Sequence, residues 1–226
     1  MTQLRILVEG QTEEAFVKQS LRQHLLQYGV YVEPTLMITK RLPSGYQFRG
    51  GVGNWKQILG NLRLLTKGSS AWISTLLDFY GLPKDFPGLE EISKRADAHE
   101  KVAALEKRFA AELNHERFVP FFVLHEFEAW LFSAPEIVAE HFGHSVLTDK
   151  IRAVAQKAGS PELINHSETT HPKARLLKLV ESCKEFYKPA SDGPTLMKKI
   201  GIDNVRAVCP HFDGWLKQLE ALGNGG

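Results

Sequence analysis

Three short apolar runs, each ending at a polar or acidic residue, are the strongest pattern in the chain. They span 4–8, 71–77 and 118–124 and are rich in Val, Ile, Leu and Phe. Continuous apolar runs of this length are typical of strands that a parallel sheet buries on both faces. A fourth apolar segment, 30–38, contains Pro34. Because proline cannot donate to a strand ladder, this segment is predicted to be an edge strand or a broken one.

Segments with helical spacing of apolar residues separate these runs. Apolar residues recur every three or four positions over 12–28 and 54–65, and a charged segment over 90–113 has the same period. Strands that alternate with helices of this length predict right-handed crossovers and a mainly parallel sheet. The remaining residues contain only short helical patterns. The sequence therefore predicts an α/β domain over 1–145 and a helical appendage over 146–226 that packs on it.

Composition narrows the class of protein. The 226 residues are 43% hydrophobic and 24% charged, which excludes a chain that is disordered throughout. The 28 basic and 26 acidic residues leave a net charge of +2, too little to hold nucleic acid by bulk charge alone. Two cysteines do not make a disulfide framework, and no apolar run is long enough for a membrane span. We therefore expect a cytoplasmic protein.

Acidic residues follow each of the three buried runs. Glu9 follows the first, Asp78 the second, and Glu126 and Glu128 the third, while Glu13 lies one helical turn beyond Glu9. The carboxyl ends of parallel strands share one edge, where ligands bind. If the strands are neighbours, these carboxylates converge, and such hard oxygen ligands favour Mg²⁺ or Mn²⁺. Acids at strand ends also cap helices, so a purely structural role is equally open for any one of them.

Basic residues indicate where a polyanion would bind. Between Lys150 and Arg206 there are eleven Lys and Arg residues against six Asp and Glu residues, which favours nucleic-acid contact by the appendage, although solvated helix faces give similar counts. A glycine-rich loop, 50–53, precedes a predicted helix and has Arg49 beside it. Its backbone N–H groups could hold phosphate, and a plain connecting loop is an equal alternative.

Several segments carry a family resemblance. The strand that runs into Glu9-Gly10-Gln11-Thr12-Glu13 and then into a helix resembles the opening motif of the Toprim superfamily and its OLD-type nucleases. The chain also resembles, along nearly its full length, a bacterial Toprim-like family of unknown function. The matching segments are GGVGNW at 50–55, DFYGLP at 78–83, HEFEAWLF at 125–132, THPKAR at 170–175 and CPHFDGWL at 209–216.

The resemblance implies a Toprim-like fold and a metal-dependent nuclease. It implies that Glu9 is a metal ligand or general base, that Asp78 is a second catalytic acid and ligand, and that Glu13 is a further ligand. Glu126 or Glu128 would complete the site around Mg²⁺ or Mn²⁺. These roles match metal-assisted phosphodiester hydrolysis, in which carboxylates hold the ion.

The same resemblance assigns the cations and the partners. Lys173 would offset charge in the transition state, and Lys173 and Arg175, together with Arg49, would contact nucleic acid. An ATPase partner and a role in bacterial or phage defence are also implied. The chain could act as a homo-oligomer.

One position departs from the Toprim pattern. Toprim domains usually carry Asp-x-Asp at the end of the middle strand, whereas this chain has Asp78-Phe79-Tyr80. Loss of the second aspartate leaves open a non-catalytic subunit that binds nucleic acid or a partner. A phosphoesterase that uses the same acids on small molecules is a further alternative to the nuclease.

Overall fold

The protein has an α/β fold in which helices flank a parallel sheet, as the sequence predicts. The structure is a computed structural model that describes residues 1–41, 47–51, 53–92, 97–164 and 170–225. The side chains of residues 40, 41, 47–49, 224 and 225 are outside this description. The strands are β1 Thr2–Val8, β2 Val30–Leu36, β3 Ile38–Arg41, β4 Gln47–Arg49, β5 Trp72–Asp78, β6 Phe118–Val119 and β7 Phe122–Val123.

Ten α-helices are present in the described residues. They are α1 Gln11–Phe16, α2 Arg22–Leu26, α3 Trp55–Thr66, α4 Ala98–Leu113, α5 Pro135–Phe142, α6 Val146–Ala158, α7 Pro172–Glu181, α8 Pro189–Ile200, α9 Ile202–Val208 and α10 Pro210–Ala221. A π-helical turn, Val17–Leu21, joins α1 to α2. Two 3₁₀ segments, Phe79–Gly81 and Phe127–Ser133, follow the strands β5 and β7.

The central sheet has the order β2-β1-β5-β6, and β7 also pairs with β5. All of these pairs are parallel, with Val8 opposite Leu76 and Asp78 opposite Val123. The carboxyl ends of β1, β5 and β7 therefore lie side by side at one edge of the sheet. The proline-containing segment is an edge strand, one of the two alternatives that the sequence left open.

The predicted third strand, 118–124, is divided into β6 and β7. Pro120 has no N–H group for the ladder, and the next residue, Phe121, pairs instead with a side chain of β5. The Thr75 hydroxyl donates to the Phe121 carbonyl oxygen at 2.8 Å. The Phe121 N–H group donates in turn to the Thr75 hydroxyl oxygen at 2.9 Å. Thr75 thus replaces a backbone partner at the break.

Two hydrophobic cores cover the two faces of the sheet. Alternate residues of β1 point in opposite directions, so that Ile6 and Val8 enter one core while Leu7 enters the other. The first core includes residues from α1, α2 and the helices α5–α10. The second core includes residues from α3 and α4. Burial on both faces explains why the strands are continuous apolar runs.

Three local features differ from the sequence predictions. The charged helix begins at Ala98 rather than near 90, because Asp97 caps it by accepting a hydrogen bond from the Glu100 N–H group at 3.0 Å. The antiparallel hairpin β3-β4 was not predicted. The segment after β7 forms a 3₁₀ turn before α5, where an α-helix was predicted from 129.

The helical character of the C-terminal part agrees with the sequence, since the described residues beyond Val123 contain helices and no strand. The division at residue 145 stays a prediction. None of the helices in the described part of the chain is both long enough and apolar enough to cross a membrane.

Candidate acidic site

Four elements bring acidic side chains to the carboxyl edge of the sheet. Glu9 follows β1, Glu13 lies in the first turn of α1, and Asp78 is the last residue of β5. Beyond β7, Glu126 immediately precedes the 3₁₀ segment and Glu128 lies in its first turn. The electrostatic effect of each neighbour on Asp78 shows that all five groups are close enough to interact. We call these five residues the acidic site.

Glu9 and Asp78 form the innermost pair. Oε2 of Glu9 and Oδ1 of Asp78 are both buried, and neither atom has a hydrogen-bond partner among the described residues. Gly81 packs against both side chains, because a Cβ atom at that position would lie 3.2 Å from Glu9 Oε2 and 3.7 Å from Asp78 Cβ. A buried carboxylate oxygen without a partner is costly, so this pair is poised to accept a proton or a cation.

The pKa values of the pair are raised by the same environment. Burial is the main cause for Asp78, whose pKa is well above its usual range, and repulsion from Glu13 and Glu9 adds to it. Burial also raises the pKa of Glu9, while a hydrogen bond from the backbone of Asp78 lowers it in part. Both carboxyls are therefore harder to ionise than a solvent-exposed carboxyl group, and a positive charge beside them would reduce that cost.

Glu13 reaches this edge from α1. Its side chain is only 8% exposed, and Oε2 accepts a hydrogen bond from the Gly10 N–H group at 2.9 Å. Burial, with repulsion from Glu9 and Glu128, raises its pKa to about 7. A Cβ at position 10 would lie 3.0 Å from the Glu13 carboxylate, so glycine at this position lets that carboxylate lie close to the backbone.

Glu128 is held by a residue from the C-terminal part of the chain. The Tyr187 hydroxyl donates to Glu128 Oε1 at 3.2 Å, and both side chains are buried. Burial and the charge of Glu126 raise the pKa of Glu128, whereas Lys173 and the Tyr187 hydrogen bond lower it. Gly193 of α8 makes room for this tyrosine, since a Cβ there would lie 3.1 Å from the Tyr187 hydroxyl oxygen.

Glu126 is engaged at the N-terminus of α7. Its Oε1 atom lies 2.7 Å from Nδ1 of His171 and accepts a hydrogen bond from the Lys173 N–H group. The Ala174 N–H group donates to the same Nδ1 atom at 3.4 Å, so His171 also caps α7. A carboxylate is stabilised at a helix N-terminus, so one oxygen of Glu126 already has a structural role.

The predicted cations lie in different settings. Lys173 is in the first turn of α7, close enough to Glu128 to lower its pKa, so the structure brings it to the acidic site. Arg175 donates from Nε to the Thr170 carbonyl oxygen at 2.6 Å, which fixes its guanidinium along its own loop. Arg49 is in β4, and its side chain lies outside the described residues.

Part of the glycine-rich loop also meets the site. The Gly51 N–H group donates to the Glu9 carbonyl oxygen at 3.0 Å, and Gly51 has a φ of 76°, a value that favours glycine. Position 52 lies outside the described residues. The loop therefore contacts the acidic site through the Glu9 backbone.

The acidic site offers the right chemistry for a divalent ion but not a complete set of ligands. Carboxylate oxygens are the donors that Mg²⁺ and Mn²⁺ prefer, and the buried oxygens of Glu9 and Asp78 lack other partners among the described residues. As placed, no three His, Cys, Asp or Glu side chains of the described part of the chain are grouped to hold an ion. The pair Glu9 and Asp78 is the part of the site that fits a cation.

Comparison with known proteins decides the family. The model of a family described as domain of unknown function DUF4276 matches residues 8–220. The chain belongs to this family. No curated protein matches the chain. The DUF4276 match includes all five residues of the acidic site, as well as Lys173 and Arg175.

Solved structures similar to this DUF4276 chain include C-terminal regions of OLD proteins. That of Burkholderia pseudomallei is 14% identical, with 99% of each chain covered and a TM-score of 0.44. Two structures from Xanthomonas campestris pv. campestris are 16% and 14% identical, with TM-scores of 0.37 and 0.36. They cover 96% of this chain and 97% and 98% of their own. Membership of the Toprim superfamily stays a prediction.

The sequence analysis missed Tyr187 as a member of this site. Tyr187 lies between α7 and α8, 59 positions from the glutamate to which it donates. No local motif marks a hydrogen bond over this separation. The one available signal was an aromatic residue between Phe186 and Lys188, in a part of the chain predicted to be helical.

Proposed function

We propose that the protein is a metal-dependent phosphodiesterase that cleaves nucleic acid, with Mg²⁺ or Mn²⁺ held at the acidic site. The observation that carries the proposal is the pair of buried carboxylate oxygens on Glu9 and Asp78 without partners among the described residues. Their raised pKa values mean that a cation would remove a cost that the protein otherwise bears. The Glu126 carboxylate, by contrast, accepts a hydrogen bond from the Lys173 N–H group in the first turn of α7, as a structural cap does.

Glu9 and Asp78 would hold the ion, and Glu13 and Glu128 supply further carboxylates beside them. A bound divalent ion would polarise a phosphodiester and lower the pKa of a water molecule. The residues of the chain supply binding and charge. Lys173, near Glu128, would attract the phosphate and offset the negative charge that develops on it during cleavage.

Lys173 also favours a polymer over a small substrate. It belongs to the basic segment between 150 and 206, and α7 carries it to the same edge as the carboxylates. A basic surface continuous with the site would hold the backbone of a nucleic acid on both sides of the cleaved bond. The ATPase partner, the role in defence, self-association and a cytoplasmic location stay predictions.

A non-catalytic binding subunit is the second candidate. The observation that favours it is the absence, among the described residues, of three side chains grouped to hold an ion. Engagement of Glu126 at α7 further reduces the number of available ligands. In this alternative Lys173 binds nucleic acid and the acidic site holds no catalytic ion.

One experiment separates the two candidates. The wild type and the variants Glu9→Gln and Asp78→Asn are incubated with single-stranded DNA, duplex DNA and RNA in Mg²⁺, Mn²⁺ or EDTA. Loss of charge at the inner pair should reduce cleavage by about 100-fold or more, in the range found when one group that stabilises a transition state is removed. Glu14→Gln is the matched control, because Glu14 lies beside Glu13 but pairs with Lys18 at 2.7 Å.

The outcomes are distinct. Metal-dependent cleavage by the wild type and Glu14→Gln, and not by the other two variants, supports the nuclease. Equal cleavage by all four proteins contradicts it, since the activity would then not depend on the acidic site. Binding of nucleic acid without cleavage in either metal favours the non-catalytic subunit.

A further inference from the structure

Tyr80 presents a large aromatic surface beside the acidic site. It lies two residues after Asp78, in the 3₁₀ segment Phe79–Gly81, and is 44% exposed. The next residue, Gly81, contacts the Glu9 carboxylate and the Asp78 side chain closely enough that a Cβ would press on Glu9. A ligand at the inner carboxylate pair would therefore lie next to Tyr80.

The Tyr80 ring stacks in parallel on the ring of a buried histidine, His125. Its centroid lies 4.8 Å from that of His125, with the two planes only 4° apart. His125 is 2% exposed and lies two residues after the end of β7, at the same edge of the sheet. Because the Tyr80 ring is already ordered by stacking on a buried partner, binding a ligand on it costs little side-chain conformational entropy.

Planar ligands with a π face suit such a surface, and every nucleic-acid base has one. Proteins that bind single strands use aromatic side chains on which successive bases stack, in a manner that tolerates sequence. In a duplex, neighbouring bases cover these faces, so stacking on Tyr80 requires an unpaired base.

We propose that Tyr80, backed by His125, is a stacking site for an unpaired base next to the cleaved phosphodiester. This inference rests on the proposed function and makes its substrate more specific: single-stranded nucleic acid, or a strand with an unpaired base at the site. The aspartate that Toprim domains usually have at this position is then replaced by a group that binds the base of the substrate.

Binding, measured without cleavage, tests the site. Fluorescence anisotropy with labelled single-stranded DNA and RNA of the same sequence, in EDTA and in Ca²⁺, compares the wild type with Tyr80→Phe and Tyr80→Leu. Phenylalanine keeps the ring and should bind within about twofold of the wild type. Leucine should bind about 5- to 150-fold more weakly, the range that corresponds to the loss of one base–aromatic stack.

Tyr28→Leu is the matched control. Tyr28 is 37% exposed and also lies against a histidine, His24, at 5.3 Å, but it precedes β2 at the opposite edge of the sheet. Its substitution should leave binding unchanged. An oligonucleotide with 2-aminopurine adds a direct readout, since the fluorescence of this base is quenched when it stacks. Quenching should occur with the wild type and Tyr80→Phe and be lost with Tyr80→Leu.

The stacking site is contradicted if Tyr80→Leu, folded by circular dichroism, binds and quenches as the wild type does. It is also contradicted if duplex DNA binds as tightly as a single strand and Tyr80→Leu weakens neither. Mn²⁺ binding, measured by isothermal titration calorimetry without nucleic acid, reports on the acidic site separately. Wild-type Mn²⁺ affinity in Tyr80→Leu, together with oligonucleotide binding and quenching that match the wild type, would retain the proposed function and reject the stacking site.

Discussion

Glu13 shows how one buried carboxyl is affected by the fold around it. Its backbone position, the first turn of a helix, favours negative charge, and the Gly10 N–H group donates to it at 2.9 Å. Burial and the nearby Glu9 and Glu128 act in the opposite direction and are stronger, because the pKa rises to about 7. Near neutral pH the protein therefore bears a cost for ionising this residue, which a bound cation would remove.

Glu13→Gln should stabilise the protein at high pH. Between pH 4.5 and 7 the folded protein retains a proton that the unfolded chain has lost, so the contribution of Glu13 to stability falls as the pH rises. Glutamine cannot ionise, and its oxygen can still accept the Gly10 hydrogen bond. We expect the free energy of unfolding to rise by about 1–3 kcal/mol at pH 8 and to change little at pH 4.5.

Urea denaturation in EDTA at the two pH values measures this change. Glu14→Gln, which removes an exposed ion pair with Lys18, should change stability by no more than about 0.5 kcal/mol at either pH. A Glu13→Gln protein less stable than the wild type at pH 8 would show that the helix cap outweighs the repulsion.

The helices α7 and α8 complete an acidic site whose inner carboxylates lie at the ends of strands. The segment between them carries Tyr187 to Glu128, and the N-terminus of α7 receives Glu126. Gly193 brings α8 close to α1, since a Cβ there would lie 3.2 Å from Cγ2 of Thr12. The C-terminal helices thus fix the side-chain orientations of Glu126 and Glu128, which the end of β7 alone would not fix.

Tyr187→Phe should change the pH dependence of the proposed activity. The Tyr187 hydrogen bond lowers the pKa of Glu128, so its removal raises that pKa and moves the acidic limb of the rate profile to higher pH. We expect activity near neutral pH to fall about threefold to tenfold, with a loss of stability of only about 1 kcal/mol for one hydrogen bond.

Tyr31→Phe is the matched control for this prediction. Tyr31 donates to Glu33 at the same distance, 3.2 Å, but in an exposed position on β2. Its rate profile should coincide with that of the wild type. An unchanged profile for Tyr187→Phe would mean that Glu128 does not take part in the reaction.

The sheet and the C-terminal helices share one core. Trp215 of α10 stacks on Phe121 with ring centroids 4.3 Å apart and donates from Nε1 to the Ser74 hydroxyl of β5 at 2.9 Å. All three side chains are buried. The helices that follow residue 145 are therefore packed against the strands that carry the acidic site.

Trp215→Phe should destabilise the whole chain in one transition. It loses the hydrogen bond to Ser74 and part of the stack on Phe121, and leaves a small cavity at a central contact. We expect a loss of about 2–3 kcal/mol, below the cost of truncating a buried tryptophan to alanine. Differential scanning calorimetry measures this, with Phe186→Leu, at a residue that is 75% exposed, as the control. Two separate transitions would favour independent domains divided near residue 145.

Local patterns were sufficient for some features and not for others. Buried strands, most helices and the acidic residues at strand ends were predictable, because apolar runs and periodic spacing depend on neighbours in sequence. The break at Pro120 was visible in the sequence, but its replacement by the Thr75 hydroxyl was not, since that contact spans 46 positions. The α4 start was misplaced because a charged periodic pattern continued upstream of its Asp97 cap.

Tertiary packing alone determined which side chains meet. The order β2-β1-β5-β6, with β7 on β5, places the ends of three separate strands at one edge, and strand order is not encoded in any single strand. The engagement of Glu126 by α7 and of Glu128 by Tyr187 depends on helices docking on that edge. Ionisation follows from the same packing, since burial and converging like charges raise the pKa values of residues that sequence identifies only as acidic.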